Sequence, residues 1–186
     1  ARATVRLLTA EVATEIRTKR NAEGTKGMNQ LNPMLQPHKE FGRSGRVIDS
    51  ENSMWKTDEF MMSILNHVNT MCSIAINRPL EVCIPSFIAS EPNTLTQTPH
   101  QDSNLAGVYS FILALDRRTI YFCDDTTIET KEAARCDLEK GQGVLFDARK
   151  VHFGDKNDGL NNLWCIHMFL VERDSGITET VLKTLP

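Results

Sequence analysis

The sequence predicts an α+β protein in which N-terminal helices pack on an all-β core of sandwich or jelly-roll type. Apolar residues recur at helical spacing early in the chain, and short β-rich runs separated by turns follow Pro79. Several of those runs are continuously apolar, as in strands packed inside a sandwich or barrel. We expect a single domain over 1–186, with a helical and loop support region (1–78), a β core (79–173) and a C-terminal turn (174–186).

Composition and charge are those of an ordinary globular domain. Of the 186 residues, 40% are hydrophobic and 24% charged, and the formal net charge is -3. That charge gives no general attraction for nucleic acid. No stretch approaches the roughly 18 consecutive apolar residues of a membrane span, and no secretory signal opens the sequence. We therefore expect an intracellular protein, cytoplasmic or nuclear, without a membrane partner.

The five cysteines lie at irregular spacings and form no CxxC pair. Zinc clusters use closely spaced ligand pairs, and disulfides belong to oxidising compartments. The pattern predicts buried, unbridged thiols in a reducing compartment. The residues concerned are Cys72, Cys83, Cys123, Cys136 and Cys165.

Two helices are predicted ahead of the β region. Residues 4–20 carry apolar side chains at helical spacing, with Thr9 as a candidate N-cap. Residues 57–76 form the second helix, with Thr57 or Asp58 as its cap.

A polar segment and a series of strands complete the layout. Residues 21–53 are rich in Asn, Gly, Pro and Lys, which predicts a long loop, either a surface connection or a lid over a site. About six to eight strands are expected after it, and the β-rich runs are LEVCIPSFIA, GVYSFILAL, TIYFCDD, ARCDLE, GVLFDA and NLWCIHMFLVE.

The most specific motif is TPHQD at residues 98–102. In a strand, residues i and i+2 point to the same face, so His100 and Asp102 can direct an imidazole and a carboxylate to one point. His152, just after the run GVLFDA, is the best candidate for a third ligand, and His167 in the last run is its competitor. Two histidines and one carboxylate leave positions open on Fe(II), as chemistry with O2 requires. The alternative is that these side chains are ordinary structural residues.

With these residues, the chain resembles the Fe(II)/2-oxoglutarate-dependent oxygenases over roughly residues 80–172. The resemblance rests on PHQD followed by VYSFILAL, on LEKGQGVLFDARKVHFG with its distal histidine, and on the final strand LWCIHMFLVE. It implies a double-stranded β-helix (jelly-roll or cupin-like) core, with Fe(II) bound at His100, Asp102 and His152. The implied activity couples decarboxylation of 2-oxoglutarate, with O2, to hydroxylation or oxidative demethylation of a substrate.

The resemblance also implies a cation for the far carboxylate of 2-oxoglutarate. Many members place an Arg or Lys about ten residues after the distal histidine, where this chain reads GLNNLW (159–164), without a cation. In the asparaginyl-hydroxylase and JmjC-like branch, the basic residue comes from the strand after the HxD strand. This chain has RRTIYF (117–122) in that place.

Strand alternation separates two candidate sets in this segment. Arg117 shares a face with the hydroxyl side chains of Thr119 and Tyr121, whereas Arg118 lies on the opposite face. Either arginine can form a bidentate pair with a carboxylate, and the hydroxyl groups favour the Arg117 set slightly. Asn104 is a further candidate for the pocket. The alternative is that both arginines are solvated at a hairpin turn.

Two other functions are compatible with the same residues. One is an iron oxygenase of the same fold that uses a different co-substrate and acts on a nucleobase, and the other is a cupin-like binding module without turnover. The expected substrate is a peptide, a small molecule or a nucleobase, with no strong nucleic-acid signal in the sequence.

Overall fold

Nine strands and two helices form in the described part of the chain. The computed structural model describes residues 2–22, 43–47, 58–123, 133–178 and 181–182. The helices are α1 (Ala10–Ala22) and α2 (Glu59–Ile76). The strands are β1 (Arg2–Arg6), β2 (Arg43–Val47), β3 (Leu80–Ser90), β4 (Val108–Ala114), β5 (Arg118–Cys123), β6 (Ala134–Leu138), β7 (Gln142–Asp147), β8 (Val151–Gly154) and β9 (Leu163–Glu172).

The strands form two antiparallel sheets that face each other. The larger sheet has the order β1-β7-β4-β9-β3-β2, and the smaller has the order β6-β5-β8. Apolar side chains between the sheets form an inner core, while α1 and α2 pack on the other face of the larger sheet. The prediction of N-terminal helices on a jelly-roll β core is confirmed. Neither described helix has the length and apolar character of a membrane span.

Alternation along the central strands decides which side chains reach the space between the sheets. Ser110 and Ile112 of β4 face the smaller sheet, as do Cys165 and His167 of β9, whereas Phe111 packs beneath the helices. All five cysteines are buried and none forms a disulfide, as predicted.

The first predicted helix is correct in kind but wrong at its start. Residues 2–6 form β1, which pairs with β7, and α1 begins at Ala10. The hydroxyl of Thr9 accepts a hydrogen bond from the backbone N–H of Val12 (3.3 Å). The strand was missed because its partner lies more than a hundred residues away, and local spacing carries no trace of that pairing.

The second helix and most strands agree with the sequence prediction. Of the two candidate caps, the carboxylate of Asp58 accepts the N–H of Met61 (2.9 Å). Strand β8 was not predicted, and residues 43–47 of the predicted loop form β2 against β3. Residues 21–22 of that loop belong to α1, and residues 23–42 and 48–53 lie outside the described residues.

Gly141 stands where the β6–β7 turn meets the segment after β1, and only glycine suits it. Its φ is +81°, a Cβ atom would overlap the carbonyl of Leu8, and its own carbonyl accepts the N–H groups of Leu7 and Leu8 (both 3.0 Å). We expect Gly141→Ala to lower the free energy of unfolding by more than about 2 kcal/mol in urea denaturation.

Gly176 provides a matched control for that substitution. Its φ is +72°, but a Cβ atom there would meet nothing within 4 Å. Gly176→Ala should therefore cost only the backbone penalty of about 1 kcal/mol. An equal loss in the free energy of unfolding of the two variants would show that the overlap with Leu8 contributes nothing to the effect of Gly141→Ala.

Candidate metal centre

A two-residue β-bridge brings His100 beside His152. The backbone N–H of His100 donates to the carbonyl of His152 (3.0 Å), and the N–H of His152 donates to the carbonyl of His100 (2.9 Å). The imidazole centroids lie 4.6 Å apart. Asp102 follows in a bend, where its N–H donates to the carbonyl of Ala148 (3.0 Å). The HxD motif was expected on a regular strand, but only His100 takes part in pairing.

The bend nevertheless directs the carboxylate of Asp102 to both histidines. Its Oδ1 atom lies 3.7 Å from Nε2 of His100, and its Oδ2 atom lies 3.5 Å from Nε2 of His152. One ligand atom from each of the three residues lies within 4.8 Å of the others. The structure thus brings together the three side chains that the sequence singles out.

Backbone carbonyls orient both imidazoles of the cluster. Nδ1 of His100 lies 2.9 Å from the carbonyl of Thr98, and Nδ1 of His152 lies 3.1 Å from the carbonyl of Lys150. Because a carbonyl only accepts, each Nδ1 carries a hydrogen in these contacts. The Nε2 atom of each ring is therefore the one directed toward the carboxylate of Asp102.

Burial sets the charge of these groups. Burial lowers the pKa of His152 to about 4 despite the nearby Asp102, so this imidazole is neutral at pH 7, the form that binds metals. Burial alone would raise the pKa of Asp102, but the adjacent His152 and the hydrogen bond from His167 hold it well below its usual value. Two imidazoles and one carboxylate form a donor set that suits Fe(II).

Comparison with known proteins places the fold. No family model and no curated protein matches the chain. Among solved structures, EvdO2 from Micromonospora carbonacea var. aurantiaca is 13% identical over 92% of this chain and 86% of its own, with a TM-score of 0.69. The epimerase SnoN from nogalamycin biosynthesis, described as non-heme and α-ketoglutarate-dependent, is 15% identical over 100% and 84%, with a TM-score of 0.63.

A prolyl hydroxylase from Trichoplax adhaerens, solved with a hypoxia-inducible-factor peptide fragment, is 12% identical over 92% of this chain and 83% of its own, with a TM-score of 0.68. The chain has the fold of the Fe(II)/2-oxoglutarate-dependent oxygenases. The resemblance found in the sequence is confirmed at the level of this double-stranded β-helix.

A pocket opens beside the candidate metal ligands inside this fold. It measures about 430 Å³ with its open mouth included, and Asp102 and His152 are among its lining residues. Arg118 is the cation among its lining residues. The apolar walls are formed by Ile88, Ile112, Ile120 and Cys165.

The structure separates the two arginines of the RRTIYF segment. Arg118 lines the pocket, and its Nη2 atom lies 3.4 Å from the hydroxyl of Ser90. Arg117 is 71% exposed and pairs with Glu139 (3.2 Å). This is the reverse of the slight sequence-based preference for the Arg117 face. The register follows from burial, because Ile120 shares the face of Arg118 and packs between the sheets.

The other predicted co-substrate residues lie away from the pocket lining. The hydroxyl of Thr119 donates to Asp137 (2.7 Å), Tyr121 stacks on Phe153, and Asn104 is exposed. The hydroxyl groups of Thr119 and Tyr121 did not identify the pocket-lining face of β5, because they lie on its outer face.

Gln97 is a lining residue that sequence reasoning missed. Its side-chain oxygen accepts the backbone N–H of Gly154 (2.8 Å), and the backbone N–H of Gln97 donates to the carbonyl of Gly154 (3.0 Å). It lies in irregular structure ahead of the HxD motif, where no periodicity marks it. His167, which the sequence offered only as a competitor for the third ligand, contacts Asp102, and so does Ser110.

Proposed function

We propose that this chain is a non-haem Fe(II) oxygenase that uses 2-oxoglutarate as its co-substrate. The observation that carries the proposal is a His-Asp-His cluster of which Asp102 and His152 line a pocket that also contains Arg118. Two relatives by fold support it, since SnoN is solved with Fe3+ and α-ketoglutarate, and EvdO2 with 2-oxoglutarate.

His100, Asp102 and His152 would hold Fe(II) on one face and leave the opposite positions open. The bound metal, with O2 and 2-oxoglutarate, would supply the oxidising power to cleave a substrate C–H bond as the co-substrate becomes succinate and CO2. The chain itself fixes the ligand geometry, through the bridge that joins His100 to His152.

Arg118 would bind the far carboxylate of 2-oxoglutarate. A guanidinium forms two parallel hydrogen bonds to a carboxylate, and the apolar walls of the pocket keep water from weakening that pair. In the described part of the chain, no carboxylate forms an ion pair with Arg118, whereas Arg117 already pairs with Glu139. We propose that the far carboxylate of 2-oxoglutarate matches the charge of Arg118.

We propose hydroxylation or oxidative demethylation of a substrate as the outcome. Relatives by fold include a prolyl hydroxylase, an epimerase and a carbocyclase, so proteins of this fold catalyse several types of reaction. The proposal can be tested before the substrate is known, because slow uncoupled turnover of 2-oxoglutarate needs no substrate. Protein with Fe(II), O2 and 2-oxoglutarate should release succinate and lose this activity under anaerobic conditions. Stoichiometric iron binding without succinate would contradict the co-substrate assignment.

Arg118→Gln should weaken 2-oxoglutarate binding by about 10- to 150-fold, because it removes a charge-assisted pair of about 1.5–3 kcal/mol. The measurement is the KM for 2-oxoglutarate in the succinate assay, or its Kd by calorimetry with the metal-loaded protein under anaerobic conditions. Arg117→Gln is the matched control. It removes the same charge from the adjacent, exposed position and should leave both constants unchanged. If Arg117→Gln weakened 2-oxoglutarate binding and Arg118→Gln did not, the co-substrate would have to bind at the outer face of β5.

A further inference from the structure

One oxygen of Asp102 is held from two neighbouring strands. The hydroxyl of Ser110 on β4 donates to Oδ2 of Asp102 (2.6 Å), and Nε2 of His167 on β9 lies 3.3 Å from the same atom. Ser110 is fully buried, and the side chains of Asp102 and His167 are 8% and 9% exposed. Water therefore competes little for either hydrogen bond.

Strand register explains how two donors converge on one acceptor. Ile112 lies opposite His167 in the β4–β9 pair, so Ser110 is the diagonal neighbour of His167 on the same face. The ring of His167 packs edge-on against Phe169, with centroids 5.0 Å apart and an interplanar angle of 87°. The plane of the imidazole is thus held by the strand that carries it.

Asp102 needs such support because its backbone supplies little. It lies in a bend outside any regular strand, anchored by one N–H bond to Ala148. A carboxylate at such a position can rotate about its Cβ–Cγ bond and offer a metal either oxygen or both. Two hydrogen bonds to Oδ2, which also lies 3.5 Å from Nε2 of His152, oppose that rotation and leave Oδ1 directed toward His100.

We propose that Ser110 and His167 are positioning residues that reserve Oδ2 of Asp102 for hydrogen bonding and so present Oδ1 alone to the metal. This inference rests on the proposed function, since it assumes a metal at His100, Asp102 and His152. A metal-bound carboxylate is ionised and only accepts hydrogen bonds, so Nε2 of His167 carries its hydrogen. His167, the sequence-based competitor for the third ligand, is thereby assigned to support a ligand.

Co(II) is a suitable probe because its visible ligand-field spectrum reports coordination number and its affinity follows from competition with a chelator. We expect Ser110→Ala and His167→Leu each to weaken Co(II) binding by about 10- to 100-fold, the usual cost of losing an outer hydrogen bond to a metal ligand. The Co(II) spectrum should change as well, because Oδ2 becomes free to coordinate. The two effects should be non-additive in the double variant, since both bonds restrain one oxygen.

Two further variants separate positioning from other roles. His167→Gln places an amide N–H where imidazole Nε2 lies and should restore near-wild-type Co(II) affinity and spectrum. Ser86→Ala is the matched control for Ser110→Ala, because Ser86 is an equally buried serine on β3 whose hydroxyl donates to the carbonyl of Ile84 (3.1 Å). It should leave Co(II) binding unchanged.

The outcomes distinguish this inference from the proposed function. Wild-type protein that binds no Co(II) would contradict both. If the wild type binds Co(II) tightly and neither Ser110→Ala nor His167→Leu alters that binding, the positioning role alone is contradicted. Equal damage in His167→Gln and His167→Leu would also overturn it, as expected if the imidazole itself coordinates the metal. Should His167→Leu fail to fold by circular dichroism, Ser110→Ala, which removes one oxygen atom, still decides the question.

Discussion

Replacing His100 with alanine is expected to abolish metal binding and turnover while leaving the fold intact. The side chain is 29% exposed, and alanine keeps the backbone N–H and carbonyl that bridge to His152. Only one of the three proposed metal ligands is removed. The loss of metal affinity should exceed about 100-fold, because even an outer partner of a ligand is worth 10- to 100-fold.

The measurement is Fe(II) content and Co(II) affinity of the purified variant, together with succinate release. His67→Ala is the matched control, since His67 is an exposed histidine on α2 and should be silent in all three assays. A His100→Ala protein that still binds metal as tightly as wild type would remove His100 from the ligand set. The cluster would then have to be rebuilt around His167.

Phe111→Ala is expected to give the largest loss of stability, about 3–5 kcal/mol. Phe111 is fully buried at the centre of the larger sheet, beneath the helices. Its ring covers Gly143 on β7, where a Cβ atom would overlap the ring. Removing the ring therefore leaves a cavity over a glycine that has no side chain to fill it.

A double-mutant cycle tests this explanation. Gly143→Ala alone should destabilise the protein, because the new methyl group displaces the ring of Phe111. Combined with Phe111→Ala, it should cost much less than the sum of the two single changes, since the methyl group then occupies the cavity. Urea denaturation with a common m-value provides the four free energies of unfolding. Strict additivity would show that Phe111 and Gly143 do not share the space that the structure assigns to them.

The sequence predicts most of the fold because its strongest signals are local. A cap at Asp58 and an apolar face that becomes buried indicate helix α2, and ten mostly apolar residues indicate the long strand β9. Strands β1 and β2 are short and pair with partners far along the chain, β7 and β3. Their residues carry little hydrophobic periodicity, so the pairing itself, rather than a pattern, makes them strands.

The candidate site divides in the same way. The HxD spacing and a histidine after an apolar strand identify three residues. Two imidazoles and a carboxylate are groups that bind iron, so the residue types alone indicate a metal site. The choice between Arg117 and Arg118 depended on strand register, which the burial of Ile120 decides. The hydrogen bonds of Ser110 and His167 to Asp102 depend on three elements meeting, and no spacing in the sequence encodes that contact.

Anaerobic titration of the protein with Fe(II) and then 2-oxoglutarate, followed by visible absorption, tests the central claim most directly. A 2-oxo acid that chelates iron held by two histidines and a carboxylate gives a metal-to-ligand charge-transfer band. The geometry of His100, Asp102, His152 and Arg118 predicts such a band, saturating at one equivalent of iron and weakened in Arg118→Gln but not in Arg117→Gln. Bound iron that gives no band with 2-oxoglutarate would contradict the claim.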